Sequence, residues 1–95
     1  MYAVIRQYQF DPSASEEVDR KVREHLVPRI KAIPGFVTYY WLNSGEGSGA
    51  SLGVFDSREG AEASVRTAAN FVQQELSGIT ISKPEILEGE VQAQA

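Results

Sequence analysis

The 95-residue sequence contains no cysteine. That removes a disulfide framework, a thiolate nucleophile and any cysteine metal site together. Histidine occurs once, at His25, with no second metal ligand marked by spacing. Positive charge is scarce as well. Nine Lys and Arg stand against 13 Asp and Glu, for a formal charge of −4, and the pI is near 4.9. A phosphate-backbone partner rewards a basic face, so no nucleic-acid partner is expected. Long apolar runs are missing too. The opening MYAVIRQYQFDP is interrupted by Arg6, which does not read as a signal peptide, and no stretch approaches a membrane-spanning length. These absences lead us to expect a soluble, cytoplasmic protein with no membrane partner.

What is present reads as one domain over 1–95, with 42% hydrophobic and 23% charged residues. Tyr2, Val4, Arg6, Tyr8 and Phe10 alternate with Ala3, Ile5, Gln7 and Gln9, which predicts a strand over 2–10. Ser13 and Glu16 have capping-box spacing. Val18, Val22, Leu26, Ile30 and Ile33 then recur as a helical stripe over 14–33, with Pro28 expected to kink it. Strands are predicted over 36–43 and 50–56, joined by the flexible SGEGSG. Ser57 or Asp56 can cap a helix over 58–76, with an inner stripe of Ala61, Val65, Ala68, Val72 and Leu76. A last strand is predicted over 85–91.

The order βαββαβ is the α+β, ferredoxin-like plan, an antiparallel four-stranded sheet with two helices on one face. The segment PGFVTYYWLN does not suit a monomer of that plan, because both faces of its strand are aromatic or apolar. A second sheet covering the bare face, most simply from an identical chain, resolves this and predicts a homodimer. On that reading Tyr39 and Trp41 turn toward the helices, while Phe36, Tyr40 and Leu42 form the seam between subunits.

Pro34-Gly35-Phe36 opening the second strand, Phe55-Asp56-Ser57 leading into the second helix, and the element order resemble the antibiotic biosynthesis monooxygenase-like group of dimeric α+β barrel proteins. The resemblance covers essentially the whole chain. It implies a homodimer whose two sheets face each other as a barrel, with a pocket in each subunit between helices and sheet. It also implies a cofactor-independent monooxygenase acting on an aromatic or polyketide-like compound. The group includes haem-degrading enzymes and small proteins with no established reaction. A tryptophan commonly ends the third strand in the group, and Phe55 stands there in this chain. The haem-degrading members use a histidine on the second helix, where this chain has Ser64 and Val65. That departure disfavours haem degradation, and no cofactor is expected.

Several side chains admit two readings. Tyr39 and Trp41, or Tyr40 on the other face, either line a pocket for a flat ligand or belong to core and interface. The small residues Ala61, Ser64, Ala68 and Ala69 either bring the second helix close to the sheet or leave a void that holds a ligand. Arg6, on a face with Tyr8, either holds an anionic oxygen or pairs with a carboxylate such as Glu88. His25 reads as a helix-boundary residue. GEGSG joins two strands, so it is no phosphate cradle. GFVTY lacks the strand position and basic residue of an RNA-binding motif. Glu85, Glu88 and Glu90 read as edge-strand charges that discourage aggregation, not as metal ligands.

The function expected is thus a monooxygenase-like pocket for a small aromatic ligand, with Tyr8, Tyr39, Trp41 and Asn70 as hydrogen-bond donors and Phe55 as a substrate-binding wall. No catalytic residue is assigned. The alternative is a non-catalytic ligand-binding or dimerisation module on the same fold.

Overall fold

The computed structural model covers residues 1–95. The chain runs β1 (Tyr2–Gln9), a 3-10 turn (Pro12–Ala14), α1 (Ser15–Lys21), a π-helical turn (Val22–Leu26), α2 (Val27–Lys31), β2 (Phe36–Asn43), β3 (Ser48–Phe55), α3 (Arg58–Glu75) and β4 (Glu85–Glu90). The four strands form one antiparallel sheet in the order β2-β3-β1-β4. The helices lie over one face, and the core between them includes Val4, Val18, Leu26, Ile30, Phe55 and Phe71. This is the α+β, ferredoxin-like arrangement. No helix is long and apolar enough to cross a membrane.

Both helical arms start with a side-chain cap, but the first differs from expectation. Asp11, not Ser13, caps the 3-10 turn, its carboxylate accepting from the Ser13 N–H at 2.9 Å. That bond also holds the Asp11 pKa below the usual carboxylate value. Ser57 caps α3 by accepting from the Gly60 N–H. Pro28 does not break the first arm. The chain widens just upstream, the Val27 N–H bonding the Val22 carbonyl five residues back. A wider turn moves the i−4 carbonyl away from the proline ring and lets the helix continue.

In α3 the buried residues are Gly60, Ala61, Ser64, Ala68 and Phe71. Phe71, absent from the expected stripe, is the largest of them. Val65 and Val72 are only half-buried.

Two features of β2 and β3 differ from the sequence reading. A bulge between Phe36 and Thr38 resets the alternation, so Phe36 turns inward with Tyr39 and Trp41. Its ring sits edge-on to Phe55 at 6.1 Å. Phe36 therefore belongs to the core and not to the outer face, where Tyr40 and Leu42 remain 59% and 65% exposed. β3 begins at Ser48, two residues earlier than predicted, because Gly49 does strand work there. A Cβ at Gly49 would stand 2.6 Å from the Trp41 ring, which lies across the strand at this point. The hairpin turn itself needs Gly47, whose φ is +87° and whose missing Cβ lets the Phe10 carbonyl approach.

Gly49→Ala is expected to destabilise the fold by about 1–3 kcal/mol, since the indole must move in a packed layer. Gly89→Ala, where a Cβ meets nothing within 4 Å, is expected to stay within about 0.5 kcal/mol. Urea unfolding midpoints of the two variants check the contrast.

Candidate functional site

The inward face of the sheet is built from alternate residues whose register is fixed by pairing. Ser51 on β3 lies between Trp41 on β2 and Arg6 on β1, and Arg6 in turn lies beside Ile86 on β4. The inward side chains of β3 next to Ser51 are glycines, Gly49 and Gly53. This low floor lets the Tyr39 and Trp41 rings lean over the middle of the sheet.

Arg6 is only 2% exposed, yet it has no carboxylate partner. The ion pairs in the protein join Arg20 to Glu24, Lys21 to Glu17, Arg29 to Glu75 and Arg58 to Glu62. The expected pairing with Glu88 does not form, because the register sets Glu88 opposite Val4. Arg6 Nη1 donates a long bond of 3.5 Å to the Ser64 carbonyl, and its Nε meets no protein acceptor. A buried cation without an anionic partner is costly, so it marks a site where an anion is favoured.

Hydroxyl groups surround this charge. Burial pushes the Tyr8 phenol pKa up, against the opposing effect of the Arg6 charge and hydrogen bond. Tyr39 is raised for the same reason, with Arg6 and Ser51 opposing. Both phenols stay protonated at neutral pH and so remain donors. The Tyr39 hydroxyl and Ser51 Oγ are buried and lie near each other and Arg6 without forming a well-aligned hydrogen bond.

Two spaces meet at Arg6. An open cavity of about 290 Å³ lies between α3 and β1, with Arg6 and Tyr8 at its base. Its walls are Val65, Ala69 and Val72 of α3, the 81–84 segment and Ile86, with Lys83 at the rim. This volume is at the lower end for small-molecule sites. The charged residues of the lining, Arg6 and Lys83, are both positive, and no carboxylate or imidazole is among them. Further in, a void of about 10 Å³ is bounded by Arg6, Tyr8, Tyr39, Trp41, Ser51 and apolar core. A separate groove of about 340 Å³ runs along α1 and the edge of β2. There Asp19 Oδ1 accepts from Trp41 Nε1 at 2.8 Å and from Asn43 Nδ2 at 2.9 Å.

Of the residues expected at the site, Tyr8 and Tyr39 converge on Arg6. Trp41 borders the inner void, but its N–H is turned away to Asp19. Phe55 is fully buried under the start of α3 and lines neither cavity, so it packs the core there. Asn70 is exposed and stands outside the group, as does His25 on the first arm. The second helix does both things its small residues allowed. Ala61, Ser64 and Ala68 pack on the sheet, while Val65, Ala69 and Val72 wall the cavity. Sequence reasoning missed Ser51 and Lys83. Ser51 carried a faint signal, as the polar member of a Gly-x-Ser-x-Gly alternation; Lys83 carried none. The donor set does not suit a haem iron. The linings hold no imidazole or thiolate, and burial disfavours the Tyr8 phenolate. Ser64, at the helix position where a histidine would be needed, donates to the Ala61 carbonyl at 2.6 Å.

No family model matches the chain, and no curated protein matches it in sequence. Solved structures do match in fold. A protein of unknown function from Nitrosomonas europaea has a TM-score of 0.81 at 19% identity, over 99% of this chain and 91% of the other. A monooxygenase from Streptomyces coelicolor, in complex with nanaomycin D, has a TM-score of 0.76 at 10% identity, over 99% and 89%. A heme-degrader from Mycobacterium tuberculosis, with two hemes bound in its active site, has a TM-score of 0.75 at 18% identity, over 100% and 99%. A dimeric ferredoxin-like protein from an uncultured marine organism is also similar, with a TM-score of 0.73 at 15% identity, over 99% and 96%. The chain thus has the antibiotic biosynthesis monooxygenase-like fold. At these identities the likeness speaks for architecture alone.

In a spectrophotometric titration, Tyr8 and Tyr39 are expected to ionise above the ordinary tyrosine value of 10.0. Arg6→Met should push both higher still, because the cation that favours phenolate is gone. For stability the sign is that of a raised pKa. The contribution is full below about pH 10 and is lost as pH rises through the higher folded values. Two tyrosines titrating normally in the native protein would contradict the burial described.

Proposed function

We propose that the protein binds a small, planar, acidic phenol or enol in the cavity under α3 and acts on it as a cofactor-independent monooxygenase. The observation that carries this reading is the buried Arg6 guanidinium without a carboxylate partner. An ionised ligand oxygen supplies the missing negative charge, and Tyr8 adds a protonated donor beside it. Val65, Ala69, Val72 and Ile86 offer apolar walls to a ring. With no base in the lining, the ligand must be acidic enough to ionise in the field of Arg6 and Lys83, releasing its proton to solvent at the mouth. The electron-rich anion is then itself the reductant of dioxygen. A ring carbon loses its hydrogen and gains one oxygen as a ketone, and the second oxygen leaves as water. All four electrons that reduce dioxygen come from the substrate, which leaves as the quinone-level product. The protein contributes positioning, water exclusion and anion stabilisation. The similar fold of a monooxygenase supports this reading.

The absence of a base equally favours a second reading, a ligand-binding module without turnover. Oxygen uptake and ligand binding, measured side by side on a panel of polyphenols, separate the two. Binding with uptake supports the enzyme, binding alone supports the module, and no binding removes both. Arg6→Met is expected to weaken binding of anionic ligands about ten- to hundred-fold. Turnover unaffected by Tyr8→Phe would count against the donor at the base of this cavity.

We also propose that the outer sheet face pairs with a second copy. Ile5, Tyr40, Leu42 and Leu87 are exposed there at 41%, 59%, 65% and 70%, forming an apolar surface of the kind that marks an interface. A similar structure is a dimer. Sedimentation at micromolar concentration should give twice the 10.4 kDa chain mass, and Leu42→Glu should shift the protein toward monomer. A wild-type monomer would sink the proposal.

A further inference from the structure

The open cavity under α3 collects positive charge in a protein that is short of it. Asp and Glu outnumber Lys and Arg by 13 to 9, yet the charged side chains of this lining are Arg6 and Lys83 alone. They stand at opposite ends of the space, Arg6 buried at the base and Lys83 exposed at the rim. Lys83 joins none of the four ion pairs of the protein. We propose that Lys83 reads a second negative group, so that the ligand is an aromatic hydroxy acid. Its carboxylate lies at the end of the ring system remote from the ionised ring oxygen. The inference rests on the function proposed above, in which that oxygen lies at Arg6.

The backbone that carries Lys83 is pinned to β1. Phe10 and Ile81 form a bridge, and the Ser82 N–H donates to the Gln9 carbonyl at 2.8 Å. Ser82 Oγ in turn accepts from the Gln9 N–H at 2.9 Å. Pro84 follows directly and restricts Lys83 to extended backbone. The lysine thus starts from a fixed point on the lip, and only its flexible stem has to swing. Ile81 and Pro84 on either side of it line the same cavity.

The walls decide where the two charges of the ligand belong. Val65, Ala69 and Val72 come from α3, and Ile81, Pro84 and Ile86 from the segment beyond it. The middle of a ligand held between them is hydrocarbon, so its charged groups lie at its ends. A carboxylate at the rim keeps part of its hydration and avoids the cost of deep burial. There it gains both the ammonium charge and a charge-assisted hydrogen bond. A neutral end group gains neither. Because the rim is open to solvent, this contact is weaker than one at the base and is screened by salt.

Three probes test the assignment by equilibrium dialysis: 6-hydroxy-2-naphthoate, its methyl ester, and 3-hydroxy-2-naphthoate, in which the hydroxyl and carboxylate are adjacent. Wild-type protein is expected to bind the first acid about three- to five-fold more tightly than the ester, and added salt should shrink that preference. Lys83→Gln should erase the preference and leave the affinity for the ester and for the adjacent isomer unchanged. Lys83→Arg should retain it. So should Lys31→Gln, which alters net charge equally at an exposed lysine on α2. Lys83 is exposed, so these variants are expected to fold. Equal binding of acid and ester in the wild type, a preference that survives Lys83→Gln, or an equal loss for the adjacent isomer would each overturn the inference. In all three cases the ligands still bind, and the function proposed above stands. Failure of all three probes to bind would remove that function and this inference together.

Discussion

A single buried charge organises the interior. Arg6 occupies the centre of the inward sheet face, on a strand with neighbours on both sides, and no carboxylate from any element reaches it. The residues around it follow from accommodating that charge. Ser51 and the glycines flanking it keep the floor low, Tyr8 and Tyr39 bring hydroxyl groups, and α3 offers the Ser64 carbonyl across the layer. A core built from hydrocarbon alone would be easier to stabilise in a chain this short. The cation is therefore better explained by what it binds than by what it contributes to folding, and both cavities of interest touch it.

The fold was largely legible in the sequence because its periods are clean. β1 alternates without interruption, the two helical stripes repeat at helical spacing, and glycine or proline stands at most turns. What stayed hidden depended on contacts distant in sequence. Gly49 looks like loop until the Trp41 ring is seen lying over it. Phe36 looks like an outer-face residue until the bulge moves it inward, and a bulge leaves no mark on an alternating pattern. Phe71 lies one position off the stripe drawn by eye, yet it fills the core between α3 and the first arm.

The candidate site was legible only in part. Tyr8 and Tyr39 were found because aromatic residues with a polar tip are conspicuous on strands. Arg6 was noticed for its apolar company, but its missing partner is a fact of strand register, which pairs Glu88 with Val4. Asn70 was chosen for its chemistry, and helical phase placed it on the outside. Phe55 came from a family pattern, and local packing gave it a different task. Ser51 needed the β2–β3–β1 register before it could be seen between two larger side chains. Chemistry-bearing residues are thus readable as types, while convergence is a property of register and helical phase.

The widened turn at Val22–Leu26 has a geometric consequence for the whole first arm. Val18, Val22, Leu26 and Ile30 are spaced four apart, and all are buried at 4% exposure or less. In a regular helix each four-residue step over-rotates by about 40°, so three steps would carry Ile30 about 120° away from Val18. The wide turn absorbs part of that drift and keeps all four side chains aimed at the sheet. In effect the arm is a shorter helix holding one surplus residue. Returning this turn to regular helix with all its residues kept would swing everything beyond it by about 100°. Arg29, which now reaches Gln74 on α3, would be swung away with it. The irregularity thus works as a phase corrector, and the angular fit of the first arm to the second depends on it.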